Sequence, residues 1–130
     1  MHSIDKIRSL VGDTVTEEDL KFVDCYVYDK VGIFIPSMGH CLYALKPQHS
    51  HPSYMFIISF DPATYNRMNI EIPDNHYLCT VLSPQIKHQE SSQDSHDYYC
   101  ILIDKEYFES QYLLYESSVP EFNFLQFSLC

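Results

Sequence analysis

The chain has 130 residues, enough for one domain with a single hydrophobic core. It is 45% hydrophobic, with 11 Tyr and 8 Phe, which favours strands over helices, and its three glycines leave no glycine-rich phosphate loop. The formal net charge of −10 repels phosphate backbones, so we expect no direct contact between this chain and nucleic acid.

The cysteines predict a reducing environment. They are widely spaced, odd in number and contain no Cys-x-x-Cys pair, which argues against a disulfide framework and a cysteine zinc site. They are Cys25, Cys41, Cys79, Cys100 and Cys130. The sequence shows no signal peptide, and no apolar run is long enough to cross a bilayer. We therefore expect a cytoplasmic protein with no membrane partner.

Residues 1–24 are predicted to form an N-terminal arm. Ile4, Ile7, Leu10 and Val11 have the three-to-four-residue spacing of a short amphipathic helix. Thr16, followed by acidic residues, is typical of a second helix start. Two interpretations stay open for the arm, which either folds over the domain or frays.

From residue 25 onward the pattern is typical of short strands separated by turns. The predicted strands are 26–28 and 31–35, or one strand broken at residues 29 and 30, followed by 41–45, 49–61, 69–73, 76–83, 98–103 and 121–129. Residues 85–97 are predicted to be a polar surface loop. Asp104 is the expected N-cap of a helix over residues 105–116, in which Phe108, Tyr112 and Tyr115 share one face. This order predicts an all-β sandwich or barrel with one late helix.

Three of the seven histidines draw attention because of their spacing. His49 and His51 are two residues apart at the start of the strand over 49–61, so within a strand they would point to one face. His88 follows the Pro84 turn that ends a later strand. If the sheet brings the strand start beside that turn, three imidazoles converge. They could be hydrogen-bonded histidines without a ligand, could contact a small organic effector, or could hold a divalent metal such as Zn²⁺ or Ni²⁺.

These pieces resemble a known family. His49-Ser-His51 before a long strand, with Ser83-Pro84 and His88 after a later one, resembles the two motifs of the cupin superfamily. The segments KPQHSHPSYMFIISFD, LSPQIKHQE and YYCILIDKEYFESQYLLYE resemble the N-terminal sensor domain of AraC-type transcription regulators. The resemblance covers roughly residues 39–116. It implies a cupin-like double-stranded β-helix (jelly-roll) barrel over residues 25–130. It also implies a C-terminal helix-turn-helix domain that lies outside this chain.

The resemblance also predicts a ligand site, and at this site the sequence departs from the family's metal-binding motif. A metal-binding cupin has a glutamate three or four residues after its His-x-His pair, and Met55 and Phe56 stand there instead. Met55 has the strand parity of the two histidines and would offer a thioether, a poor ligand for iron or manganese. The predicted ligand-binding residues are His49, His51, Tyr54, Met55 and His88, and the predicted metal ligands are His49, His51 and His88.

The resemblance implies a sensor without enzymatic activity. Its expected partners are a small-molecule effector, the regulator's own C-terminal DNA-binding domain and a second copy of the chain. The alternative is a stand-alone metal-dependent cupin enzyme of the dioxygenase or isomerase type, in which Tyr54 or Glu90 would complete the metal shell. A third interpretation is a sugar-binding or structural β-domain with no switching.

Overall fold

The computed structural model describes residues 4–13, 15–21, 23–36, 50–59, 77–86 and 98–129. Within these residues lie two helices and six strands: α1 Ile4–Val11, β1 Val23–Tyr28, β2 Val31–Pro36, β3 Ser53–Ser59, β4 Tyr77–Leu82, β5 Tyr98–Asp104, α2 Lys105–Tyr112 and β6 Phe124–Leu129. The strands form one antiparallel sheet in the order β1-β2-β5-β3-β4-β6. The prediction of a mainly β protein is confirmed.

The first two strands form a hairpin. Their register pairs Tyr28 with Val31 across the turn at Asp29 and Lys30. Asp29 has a φ of 55°, the left-handed conformation that Asp tolerates better than most residues. The predicted strands over 41–45 and 69–73, and residues 87–97 of the predicted loop, lie outside the described residues.

The strand that follows the histidines is central in the sheet. β3 pairs with β5 on one side and β4 on the other, and Met55 stands opposite Leu102 and Leu82. Its first three residues, Ser53 to Met55, are all buried, whereas the last four are half-buried. Burial on both faces, as the sequence predicted, therefore holds for the start of the strand.

Helix α1 covers one face of the sheet over β2 and β5. Its apolar side chains Ile7, Leu10 and Val11, together with Val15, are buried in the main core. The sheet contributes the rest of that core: Val23, Val27, Phe34, Met55, Cys100 and Leu102. Each fully buried aliphatic side chain contributes about 1.5–3 kcal/mol relative to exposure. The arm thus folds over the domain, and the frayed alternative does not apply to residues 4–11.

Helix α2 lies against the sheet over β3 and β5. Asp104 is its N-cap, as predicted, because its carboxylate accepts a hydrogen bond of 3.0 Å from the Tyr107 N–H. The helix ends at Tyr112, four residues before the predicted end. Phe108 and Tyr112 are half-buried, but Tyr115 is 86% exposed and does not share the packed face.

Gly32 is where β2 passes beneath α1, and we expect Gly32→Ala to destabilise the fold. A β-carbon there would lie 2.7 Å from Phe34 Cε2 and 3.0 Å from Leu10 Cδ1. Both neighbours are buried, so relief requires repacking, and we expect a loss of about 1–3 kcal/mol in urea unfolding. Adding Phe34→Leu should make the combined loss smaller than the sum of the two single losses. Additive losses would contradict this contact.

The half-buried thiol of Cys25 and the buried thiol of Cys79 predict a loss of stability at alkaline pH. Burial, followed by the charge of Asp24, raises the pKa of Cys25 from 9.0 to about 11, and burial also raises the pKa of Cys79. Because the unfolded thiols lose their protons first, this stability is complete below about pH 9 and falls as the pH rises toward 11. Cys25→Ser should make the fall in unfolding free energy, measured under reducing conditions between pH 8 and 10.5, less steep. An unchanged slope would contradict the burial of the thiol.

Candidate functional site

His51 joins the N-terminal arm to the start of β3. The residue lies two positions before the strand, is 3% exposed, and its Nδ1 is 2.7 Å from the carbonyl oxygen of Val11. A carbonyl oxygen only accepts, so Nδ1 carries the proton and donates. In the neutral ring, Nε2 is then the nitrogen with a lone pair. The imidazole therefore fixes the last turn of α1 and presents Nε2 inside the protein.

The local sequence explains this position. Helix α1 ends where Gly12, at a φ of 132°, donates its N–H to Arg8 O at 2.9 Å. The last carbonyls of a helix have no partner within it, and His51 supplies one to Val11. Pro52 lacks an N–H for the sheet, and β3 begins directly after it. His51 is therefore placed by the arm and not by the strand ladder.

The Pro84 turn lies directly beside His51. Gln85 donates its N–H to the carbonyl oxygen of His51 at 2.7 Å, and the Ser50 hydroxyl donates to Gln85 Oε1 at 3.2 Å. The turn is also fixed from the other side, because the Ser83 hydroxyl donates to Phe122 O at 2.7 Å. The start of β3 and the Pro84 turn are in contact, as the sequence predicted.

The other two predicted metal ligands, His49 and His88, lie outside the described residues. Within the part of the chain that is described, no group of three or more His, Cys, Asp or Glu side chains could hold a metal ion. The three-histidine metal site therefore stays a prediction. What the structure adds is the orientation of one of its members, His51.

Tyr54 and Met55 lie on opposite faces of β3. Met55 is 1% exposed and belongs to the core beneath α1, the same side on which His51 meets Val11. Tyr54 is buried against α2, where its ring centroid is 4.2 Å from that of Phe108. The predicted ligand-binding residues thus separate into an α1 side and an α2 side. A molecule beneath the arm would contact the first group only.

On the α2 side, Tyr54 is part of a hydrogen-bonded chain. Its hydroxyl donates to Glu109 Oε2 at 3.3 Å, and Lys105 Nζ forms an ion pair with Glu109 Oε1 at 2.9 Å. Burial, then the charge of Glu109 and its hydrogen bond, raise the pKa of Tyr54. The hydrogen bond to Glu109 also raises the pKa of Lys105. The phenol is therefore a neutral donor at physiological pH, in a role that fixes α2 to β3.

Ser53 is a candidate that the sequence analysis missed. It shares strand parity with Met55, is 1% exposed, and its Oγ is buried without a hydrogen-bond partner in the described part of the chain. A buried hydroxyl in that state costs about 1–3 kcal/mol unless a bound polar group satisfies it. Strand alternation alone could have identified Ser53, because it lies two residues from both His51 and Met55 and therefore shares their face.

Comparisons with protein-family models, with curated proteins and with solved structures gave no match. Among the described helices, none combines the length and the apolar character needed to span a membrane.

Proposed function

We propose that this chain is the effector-sensing and dimerisation domain of an AraC-type transcription regulator, built as a cupin-like jelly-roll barrel that binds a small molecule. The observation that supports this most is the contact between three segments far apart in sequence. His51 connects the end of α1 to the start of β3, and its own carbonyl binds the Pro84 turn. In the family that the motifs resemble, the ligand end of the barrel would correspond to this same junction.

The groups on the α1 side indicate the kind of ligand. His51 Nε2 is an acceptor by its chemistry when Nδ1 donates to Val11 O, the buried Ser53 hydroxyl can donate or accept a hydrogen bond, and Met55 offers an apolar, polarisable surface. A small polar molecule with at least one hydroxyl or amine group fits this combination. Small-molecule sites usually combine an apolar lining with few polar groups, as these three residues do.

Regulation follows if the effector makes different contacts in two states of the regulator. A difference of about 1.4 kcal/mol in binding free energy shifts the balance between states tenfold. That shift would change the spacing of two DNA-binding domains. The net charge of −10 supports a role in which a separate domain contacts DNA. The same proposal implies that the protein is cytoplasmic.

A thermal-shift screen with monosaccharides and aromatic carboxylic acids tests the sensor. A ligand at about one hundred times its dissociation constant stabilises by about 2.7 kcal/mol, or roughly 10 °C for a chain of this size. We expect the shift to be lost in His51→Asn, which removes Nε2, and kept in Tyr115→Ala, a position beyond the end of α2. A shift that survives His51→Asn would contradict the proposed site.

The proposed DNA-binding domain has a separate test, which is the sequence of the gene. We expect the reading frame to continue beyond codon 130 into a basic segment of about 100 residues with two helix-turn-helix patterns. A stop codon directly after Cys130 would contradict it, without affecting the result of the ligand screen.

One observation favours a metal-dependent cupin enzyme as the second candidate. Metal-bound histidines usually donate their other ring N–H to a carbonyl or carboxylate, as His51 does to Val11. His49, His51 and His88 would be the ligands, and the metal would supply Lewis-acid chemistry. Elemental analysis of the purified chain is the test. About one zinc or nickel per chain, lost in His51→Asn, would support this candidate, and no stoichiometric metal would remove it.

A further inference from the structure

Strand β6 forms one edge of the described sheet. It pairs with β4 on one side only, and the sheet order ends there. An edge strand presents unpaired backbone N–H and C=O groups, so proteins usually protect it with charges, proline or bulges. From Phe124 to Leu129 the strand reads FLQFSL and has neither a charged residue nor a proline. The opposite edge, β1, carries the exposed Asp24.

Three apolar side chains of β6 are exposed, and they lie on both faces of the sheet. Phe124 is 58% exposed, Leu125 47% and Phe127 44%. The register with β4 places Leu125 and Phe127 on one face and Phe124 with Gln126 on the other. Leaving such side chains in water is unfavourable, and cross-strand pairing with another strand would cover them.

Charge favours this edge for self-association over the rest of the surface. Two copies, each with a net charge of −10, repel each other at most orientations. The uncharged β6 is a segment at which two copies can meet without placing like charges opposite each other.

We propose that β6 is a homodimer interface, in which the β6 strands of two copies pair antiparallel and continue the sheet across a two-fold axis. A two-fold axis perpendicular to the sheet keeps each side chain on its own face, and directly opposite residues of antiparallel strands point to the same face. The axis must therefore lie midway between the two copies of one residue. A two-fold axis at Gln126 pairs Leu125 of each copy with Phe127 of the other. It also places Phe124 opposite Ser128, and the two Gln126 side chains face each other.

The exposed area predicts a weak dimer. The exposed parts of Phe124, Leu125 and Phe127 amount to about 300 Å² per chain, taking about 200 Å² for each side chain. A standard interface buries about 800 Å² per partner. We therefore expect a weak dimer that forms only at high protein concentration. Since the net charge opposes association, raising the salt concentration should strengthen the dimer.

Sedimentation velocity of the 130-residue chain over a range of about 5–500 μM tests the interface. The wild-type chain should pass from monomer to dimer in this range. Gln126→Lys and Gln126→Glu, each alone, should stay monomeric because like charges meet at the axis. An equimolar mixture of the two variants should form a heterodimer again, because the charges are then opposite.

Gln111→Lys, which adds the same charge at an exposed position on α2, is the matched control and should dimerise like the wild type. If a Gln126 variant loses its far-UV circular dichroism, Ser128→Lys replaces it, since it places a charge opposite Phe124 of the second copy. A wild-type chain that remains monomeric at 500 μM would overturn the proposal. So would a Gln126→Lys variant that dimerises as the wild type does.

Discussion

Replacing His51 with alanine is expected to release the N-terminal arm and lower the free energy of unfolding by about 2–4 kcal/mol. The substitution leaves the carbonyl of Val11 without its 2.7 Å donor and removes a ring that is 3% exposed. Urea unfolding gives the global loss. Hydrogen exchange measured by mass spectrometry on the peptide that contains α1 shows whether the arm itself is released.

Two conservative variants separate the two ring nitrogens. The amide nitrogen of His51→Asn falls near the position of Nδ1 and can still donate to Val11, so we expect protection of α1 to be largely kept. His51→Gln places its polar end near Nε2 and should resemble His51→Ala in the exchange of α1. If Asn were as damaging as alanine, the Val11 hydrogen bond would not be what holds the arm.

Removing the ring of Phe108 is expected to cost about 2–3 kcal/mol, less than the usual loss of about 3–5 kcal/mol for Phe→Ala because the side chain is only half-buried. Its ring centroid lies 4.2 Å from that of Tyr54, 6.0 Å from that of Phe56 and 5.9 Å from that of Tyr112. This cluster is what attaches α2 to the sheet. Chemical denaturation of Phe108→Ala gives the loss.

Tyr115→Ala is the control for that experiment. The sequence pattern places Phe108 and Tyr115 on one helix face, but Tyr115 lies beyond the helix end and is 86% exposed. We expect its replacement to change the unfolding free energy by no more than about 0.5 kcal/mol. Equal losses for the two variants would mean that the helix continues to residue 116 and packs along its whole length.

The strands and the start of α2 could be predicted because their signals are local. Apolar runs ending at Asp or Pro gave β3, β4 and β5 to within a few residues, and Asp104 caps its own helix through the Tyr107 N–H three residues on. The end of α2 could not be predicted. A periodic pattern predicts which face of a helix packs against the sheet. The length of the helix, in contrast, depends on how much of the sheet it can cover.

The candidate site was predictable only in part, for a similar reason. The spacing of His49 and His51 assumes that both lie within the strand, but Pro52 precedes its first residue, and His51 is placed by Val11, forty residues earlier. No local pattern contains that contact. The contact between His51 and Gln85 was expected, because the motif pieces share a family pattern.

The nitrogen that carries the proton in His51 is the most direct test, since both functional proposals need Nε2 as the accepting atom. Long-range ¹H–¹⁵N correlation spectra of the imidazole at neutral pH distinguish the tautomers. The structure predicts a protonated Nδ1 whose hydrogen exchanges slowly, because it is buried against Val11 O. A ring protonated at Nε2 alone would contradict the hydrogen bond to the arm, and with it the site.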